Sequence, residues 1–88
     1  MIAEVYCVKD ELQNEFLTPV YAKDEKLAIR DFKYKINSIE QWKYNSADYS
    51  LFKLGTFDTE TGVYTTNIEK ICGGRSVLDD NLHTSTEA

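Results

Sequence analysis

The feature that most constrains the fold is a helical repeat of apolar residues in the middle of the chain. Ala28, Phe32 and Ile36 recur every four residues, and this spacing places their side chains on one face of an α-helix of about three turns. Asp24 is a residue type that caps helix N-termini, and Asn37 suits the left-handed conformation that ends many helices. The sequence therefore predicts an amphipathic helix between these two residues.

Two strand-like stretches precede this helix and two follow it. Rich in β-branched and aromatic residues, they cover residues 2–8, 16–22, 49–54 and 63–68. Pro19 in the second stretch cannot donate a backbone hydrogen bond, which predicts an edge strand. The predicted fold is a two-layer α+β domain in the order β-β-α-β-β. It has a four-stranded antiparallel sheet of two hairpins with one amphipathic helix on one face.

Turn and cap residues add local detail to this prediction. Gly55 marks a β-bulge or a close backbone approach, and residues 58–62 predict the turn of the second hairpin. Residues 38–41, Ser-Ile-Glu-Gln, fit the capping-box pattern and predict a short second helical turn carrying Ile39 and Trp42. We interpret Trp42 as a core residue between this turn and the sheet.

The length of 88 residues is typical of one small domain. We place this domain at residues 1–74 and predict that residues 75–88, which are polar and acidic, form a flexible tail. No apolar run approaches the roughly 18 residues of a membrane span. The first residues also lack the basic start and apolar core of a signal peptide. We therefore expect an intracellular protein without membrane contact.

The charge of the chain is unevenly distributed. The net charge is −5, which excludes a strongly basic nucleic-acid clamp. Six of the ten basic residues nevertheless lie between positions 23 and 43, where four acidic residues leave a net charge of +2. This segment is the one electrostatic feature that indicates a partner.

Within this segment, the helical spacing projects three cations together. Lys26, Arg30 and Lys33 share the face opposite the apolar repeat. One interpretation is an ordinary solvated outer face. The other is a patch that follows the phosphates of single-stranded nucleic acid, with nearby aromatic rings as stacking surfaces for bases. The predicted single-stranded DNA site consists of Lys26, Arg30, Lys33, Tyr34, Trp42 and Lys43.

Four tyrosines fall at predicted strand positions, namely Tyr6, Tyr21, Tyr49 and Tyr64. One interpretation is that they form cross-strand pairs that stabilise the sheet. If some share the face away from the helix, that face is a candidate stacking surface or dimer interface. Because dimerisation would also help a small core, we expect a homodimer.

The residues that carry catalysis are not arranged in a recognisable site. His83 is the only histidine and falls in the predicted tail, whereas a metal site or a general base needs held, converging groups. Cys7 and Cys72 match no zinc or redox spacing, and we interpret them as reduced core residues. We expect a non-enzymatic protein with no metal, no cofactor and no small-molecule substrate.

Several fragments resemble a known family when they are taken in order. They are residues 5–10, 16–19, 28–32 with 36–37, 48–55, 57–58 and position 62. This set resembles the small nonstructural protein of the gokushovirus branch of the Microviridae, which are single-stranded DNA bacteriophages. The resemblance covers about residues 2–64. It implies a phage-encoded protein in the bacterial host cytoplasm that binds DNA or takes part in replication, and it implies no catalytic residues.

Together, these features lead to two hypotheses. The first is an accessory protein of single-stranded DNA phage replication, which binds single-stranded DNA through the six predicted residues or binds the replication initiator. The alternative is a protein-interaction module, a host-factor inhibitor or acidic decoy. It would act through its acidic surface and through strand addition at residues 16–22.

Overall fold

A computed structural model describes residues 1–79 of the chain. In this part, a five-stranded antiparallel sheet is combined with three α-helices, which confirms the α+β class. The strands are β1 (Ile2–Asp10), β2 (Glu15–Phe16), β3 (Val20–Ala22), β4 (Tyr49–Asp58) and β5 (Tyr64–Gly73). The helices are α1 (Glu25–Ser38), α2 (Glu40–Tyr44) and α3 (Gly74–Val77), with a 3-10 turn at Ser46–Asp48.

The central strands of the sheet are β1 and β4, which pair along the full length of β1. β5 flanks β4, while β2 and β3 share the outer edge of β1. The predicted four strands and single helix are therefore not matched in number. The predicted strand at residues 16–22 does lie at an edge, but it is split in two around Pro19, which has no N–H to donate to the ladder.

An irregularity in β4 occurs at the glycine that the sequence singled out. The register between β1 and β4 shifts here, leaving Leu54 as the extra residue on β4. Gly55 has a φ of +155°, and a Cβ on it would collide with the carbonyl oxygen of Thr65 on β5. The position is thus both a bulge and a close backbone approach.

The apolar repeat of α1 covers one face of the sheet. Ala28, Phe32 and Ile36 are buried, and the Asp24 carboxylate accepts a hydrogen bond from the Leu27 N–H at 2.9 Å, so the predicted N-cap is confirmed. The sheet side of this core consists of Tyr6, Val8, Tyr49 and Leu51. The opposite side of α1 consequently faces solvent.

The end of α1 differs from the prediction. The helix continues through Asn37 to Ser38, so the left-handed cap at Asn37 and the capping box at Ser38 were wrong. The short helix carrying Trp42 is present as α2, preceded by Ile39 without a side-chain cap. Asn37 instead donates a side-chain hydrogen bond to the Val77 carbonyl and accepts one from the Asp79 N–H at 2.7 Å. Its amide therefore ties α3 to α1.

The packed part of the chain extends beyond the predicted domain end at Gly74. Val77 and Leu78 pack against the core from α3 and the residue after it. Gly74 itself is buried, and a Cβ there would collide with the Ser46 carbonyl oxygen. The rest of the predicted flexible tail, residues 80–88, lies outside the described residues.

A buried tyrosine predicts a loss of stability at alkaline pH. Tyr6 is fully buried, and its hydroxyl donates a hydrogen bond to Glu4 at 2.7 Å. Burial and, after it, this hydrogen bond raise the pKa of Tyr6 far above its usual value. The unfolded chain can ionise Tyr6 near pH 10 while the folded chain cannot. Its contribution to stability is thus complete below pH 10 and is lost as the pH rises above it, by at most about 1.4 kcal/mol per pH unit.

We expect the urea midpoint of the wild type to fall more steeply between pH 9 and pH 11 than that of Tyr6→Phe. Circular dichroism at several pH values measures both midpoints. Burial also raises the pKa of Tyr49, but this effect is common to both proteins and cancels in the comparison. Parallel pH profiles for the two proteins would contradict the prediction.

Candidate nucleic-acid interface

The outer side of α1 carries the cations that the sequence grouped together. Lys26, Arg30, Lys33 and Tyr34 are all exposed, and we call these four residues the basic face. The three cations occupy positions i, i+4 and i+7, which lie on one side of a helix. They span about 10 Å along its axis, since each residue advances the helix by about 1.5 Å.

The cations of the basic face have no carboxylate partner within the described part of the chain. By contrast, Lys35 of the same helix pairs with Asp31 at 3.2 Å. The lysines of the sheet are also engaged: Lys53 lies 3.7 Å from Glu4, while Lys9 and Lys70 contact one glutamate on the other side of the sheet. The charge available to an external anion is therefore concentrated in the helical layer.

Tyr34 places an aromatic ring beside these charges. Its side chain is 70% exposed, and it follows Arg30 by one helical turn. A ring that is free of packing and adjacent to a guanidinium suits base stacking. The basic face therefore offers a ligand both cations and an exposed aromatic ring.

Trp42 and Lys43 lie on α2 rather than on α1. The Trp42 ring stacks on Tyr49 with centroids 4.7 Å apart and an interplanar angle of 18°, and it packs against the core. The interpretation of Trp42 as a core residue is confirmed, and one side of its ring is already occupied. Lys43 is half-buried and lines a shallow cavity of about 490 Å³ together with Tyr44 and Leu78. The structure thus divides the six predicted residues between two helices.

The four tyrosines at strand positions separate onto the two faces of the sheet. Tyr6 and Tyr49 are buried beneath α1, whereas Tyr21 and Tyr64 lie on the face that the described helices leave uncovered. Sequence reasoning missed three phenylalanines on this uncovered face. The signal of Phe52 and Phe57 was weak because the bulge in β4 changes the alternation of side chains between these two residues. The third, Phe16, lies on the two-residue strand β2.

Aromatic pairs cross the strands of the uncovered face. Phe16 contacts Phe52 edge to face with centroids 5.2 Å apart, and Tyr21 stacks on Phe57 at 6.0 Å. The Lys9 ammonium lies 5.4 Å from the centroid of the Phe16 ring. Cross-strand pairing therefore accounts for part of the aromatic content, as one interpretation of the sequence held.

A single carboxylate, that of Glu11, pairs with both lysines of this face. Glu11 lies 3.6 Å from Lys9 and 3.9 Å from Lys70. A hydrogen bond with Ser50 and the charges of the two lysines lower the pKa of Glu11, so that its carboxylate is ionised at neutral pH. The lysines of the sheet are thereby neutralised in part.

Neither thiol is set up as a nucleophile. Cys7 and Cys72 are free, and burial raises the pKa of each, which keeps them protonated. Within residues 1–79, no three histidine, cysteine or carboxylate side chains are grouped so that they could hold a metal ion. His83 lies outside the described residues. None of the helices formed by residues 1–79 has the length and apolar composition that crossing a membrane requires.

Comparison with known proteins places the chain among phage proteins. The model of the family described as Phage ORF5 protein matches residues 3–77. No curated protein matches the chain, and no solved structure does. The family match covers most of the chain and includes β1 to β5 and the helices between them. It confirms the phage origin that the sequence resemblance implied, and the chain belongs to the Phage ORF5 protein family.

Proposed function

We propose that this phage protein is a non-enzymatic accessory factor of viral single-stranded DNA replication that binds single-stranded DNA through its basic face. The observation that carries the proposal is the row of three exposed cations without carboxylate partners among the described residues, with Tyr34 beside them. The resemblance to the nonstructural protein of gokushoviruses supports the replication role. It also supports a location in the bacterial host cytoplasm.

A helix with a row of exposed cations and an exposed tyrosine suits a flexible single strand of DNA better than a duplex. Single-stranded DNA can bend to follow cations along one helix face and can place an unpaired base on Tyr34. Trp42 and Lys43 on α2 would extend the contact beyond the basic face. If three phosphates are neutralised, the logarithm of the binding constant should fall with the logarithm of salt concentration at a slope of about −2.

Charge reversal on the basic face tests the proposal. We expect Arg30→Glu combined with Lys33→Glu to weaken binding of a fluorescein-labelled single-stranded oligonucleotide more than tenfold, because two phosphate contacts become repulsive. Fluorescence anisotropy at low and physiological salt measures the binding constant. Trp42 fluorescence provides a second readout near the site.

The matched control is a single arginine reversal elsewhere in the helical layer. Arg30→Glu and Arg75→Glu change the net charge equally, and both arginines are exposed. We expect Arg30→Glu to weaken binding several-fold and Arg75→Glu less than twofold. Equal losses for these two variants would show that binding depends only on net charge. Unchanged binding by the double variant would exclude the basic face as the binding site. A wild type that does not bind the oligonucleotide even at low salt would exclude DNA as the partner.

A second candidate function is binding to a phage or host replication protein by strand addition. The observation that favours it is the outer edge of β5, a continuous strand of ten residues at the border of the sheet. This edge is better suited to adding a strand than residues 16–22, where Pro19 interrupts the ladder. A pull-down from infected cells that returns no reproducible partner would count against this function.

A further inference from the structure

The sheet face opposite α1 is largely apolar, although Thr66 on β5 and the lysines Lys9 and Lys70 also lie on it. We call it the open face and define it by Phe16, Tyr21, Phe52, Phe57, Tyr64 and Ile68. Among its members, Tyr21 is 66% exposed, Ile68 58% and Tyr64 44%. An antiparallel sheet with one face in water normally alternates apolar and polar residues. A contiguous apolar patch of this kind usually marks an interaction surface.

The members of the open face form one surface across the sheet. Phe57 lies directly opposite Tyr64 in the β4–β5 ladder, and Tyr21 from the outer edge stacks on Phe57. Shallow cavities between these rings are lined by Leu54, Pro19 and Cys7. The surface therefore reaches from the outer edge of β1 to β5.

We propose that two copies of this protein pack sheet against sheet through the open face and form a two-fold symmetric homodimer. A second copy presents the same apolar chemistry, as a self-complementary interface requires. The resulting order of layers is helix, sheet, sheet, helix. This inference goes beyond the proposed function, because it would stand even if the protein did not bind DNA.

The size of the open face reaches the lower limit for a specific dimer. Four strands about 4.8 Å apart and about eight residues of strand at about 3.4 Å each give a face of roughly 19 by 27 Å. Its projected area is about 500 Å² for each copy. Two copies would bury about 1,000 Å² or more, which is the size at which specific interfaces begin.

The charged side chains at the two ends of the open face differ in sign. One end carries the lysine pair Lys9 and Lys70 around the single carboxylate of Glu11, and the other end carries Glu60 in the turn between β4 and β5. A two-fold axis that lies between the two sheets and runs perpendicular to the strands places the Lys9 and Lys70 end of one copy over the Glu60 end of the other copy. The open face is a poor DNA site by comparison, because Glu11 already engages both of its lysines.

The oligomeric state tests this inference directly. We expect the wild type to sediment with a mass of about 20 kDa at tens of micromolar, twice its chain mass of 10.1 kDa. Ile68→Glu and Tyr64→Glu should each raise the dimer dissociation constant more than tenfold, because they bury a carboxylate in an apolar interface. Far-UV circular dichroism establishes that each variant is folded. Both positions are exposed in the monomer, so folding should be retained.

Tyr44→Glu is the matched control, since Tyr44 is 84% exposed and lies on α2, away from the open face. This variant should dimerise like the wild type. A wild type that is monomeric up to several hundred micromolar would overturn the proposal, and so would open-face variants that dimerise as strongly as Tyr44→Glu.

A charge exchange tests the orientation of the two copies. Lys70→Glu should weaken the dimer several-fold, because it places a carboxylate opposite Glu60 of the other copy. Combining it with Glu60→Lys should restore most of the loss. A double variant that is weaker than Lys70→Glu alone would contradict the proposed orientation.

Discussion

Replacing Gly55 with alanine is expected to destabilise the protein by about 3 kcal/mol or more. Two costs combine at this position. Gly55 has a φ of +155°, which L-residues with a side chain rarely adopt, and the new Cβ would collide with the Thr65 carbonyl oxygen. Relief of the collision requires β4 and β5 to separate. The urea midpoint, measured by circular dichroism, reports the loss directly.

Gly73→Ala provides the control for this prediction. Gly73 lies in β5, its φ is outside the range that favours glycine, and a Cβ there would have no heavy atom within 4 Å. We expect its stability to remain within about 0.5 kcal/mol of the wild type. If Gly55→Ala were as stable as Gly73→Ala, the bulge would have to relax freely, contrary to the close contact between the strands.

The helical layer could be predicted because its signals are local. The spacing of Ala28, Phe32 and Ile36 indicates both the helix and its buried side, and the capping role of Asp24 depends on a residue only three positions away. The positions of Lys26 and Arg30 on the outer side follow from the same periodicity. The part of the candidate site on α1 was therefore accessible from the sequence.

Other features depend on contacts between distant parts of the chain. Asn37 is a plausible helix cap when viewed locally, but its side chain bonds to residues about 40 positions later. Such a contact leaves no periodic pattern in the sequence. The same reason explains why the packed part of the chain was predicted to end at Gly74, before Val77 and Leu78.

The open face was not predictable in detail because it depends on strand register. Side chains alternate strictly only in a regular strand, and the bulge at Leu54 and Gly55 shifts this alternation in the middle of β4. Phe52 and Phe57 differ by an odd number of positions, so a regular strand would place them on opposite faces. The bulge places both on the open face.

Phe32→Ala is expected to destabilise the protein by about 3–5 kcal/mol, the usual cost of removing a buried phenylalanine. Phe32 is 1% exposed and holds the middle of α1 against the sheet. A domain of this size has a total stability near the lower end of about 5–15 kcal/mol. The variant should therefore be marginally folded or unfolded at 25 °C, as measured by its urea midpoint and thermal transition.

Tyr34→Ala separates this packing effect from a general effect of losing an aromatic ring in α1. Tyr34 lies two residues later on the same helix, but its ring is 70% exposed, so its removal should change stability by less than about 0.5 kcal/mol. A loss below 1 kcal/mol for Phe32→Ala would mean that α1 is not anchored by this residue. The expected contrast would identify Phe32 as the residue that keeps α1 fixed on the sheet. In this position of α1, the cations of the basic face are exposed to solvent and accessible to the proposed DNA strand.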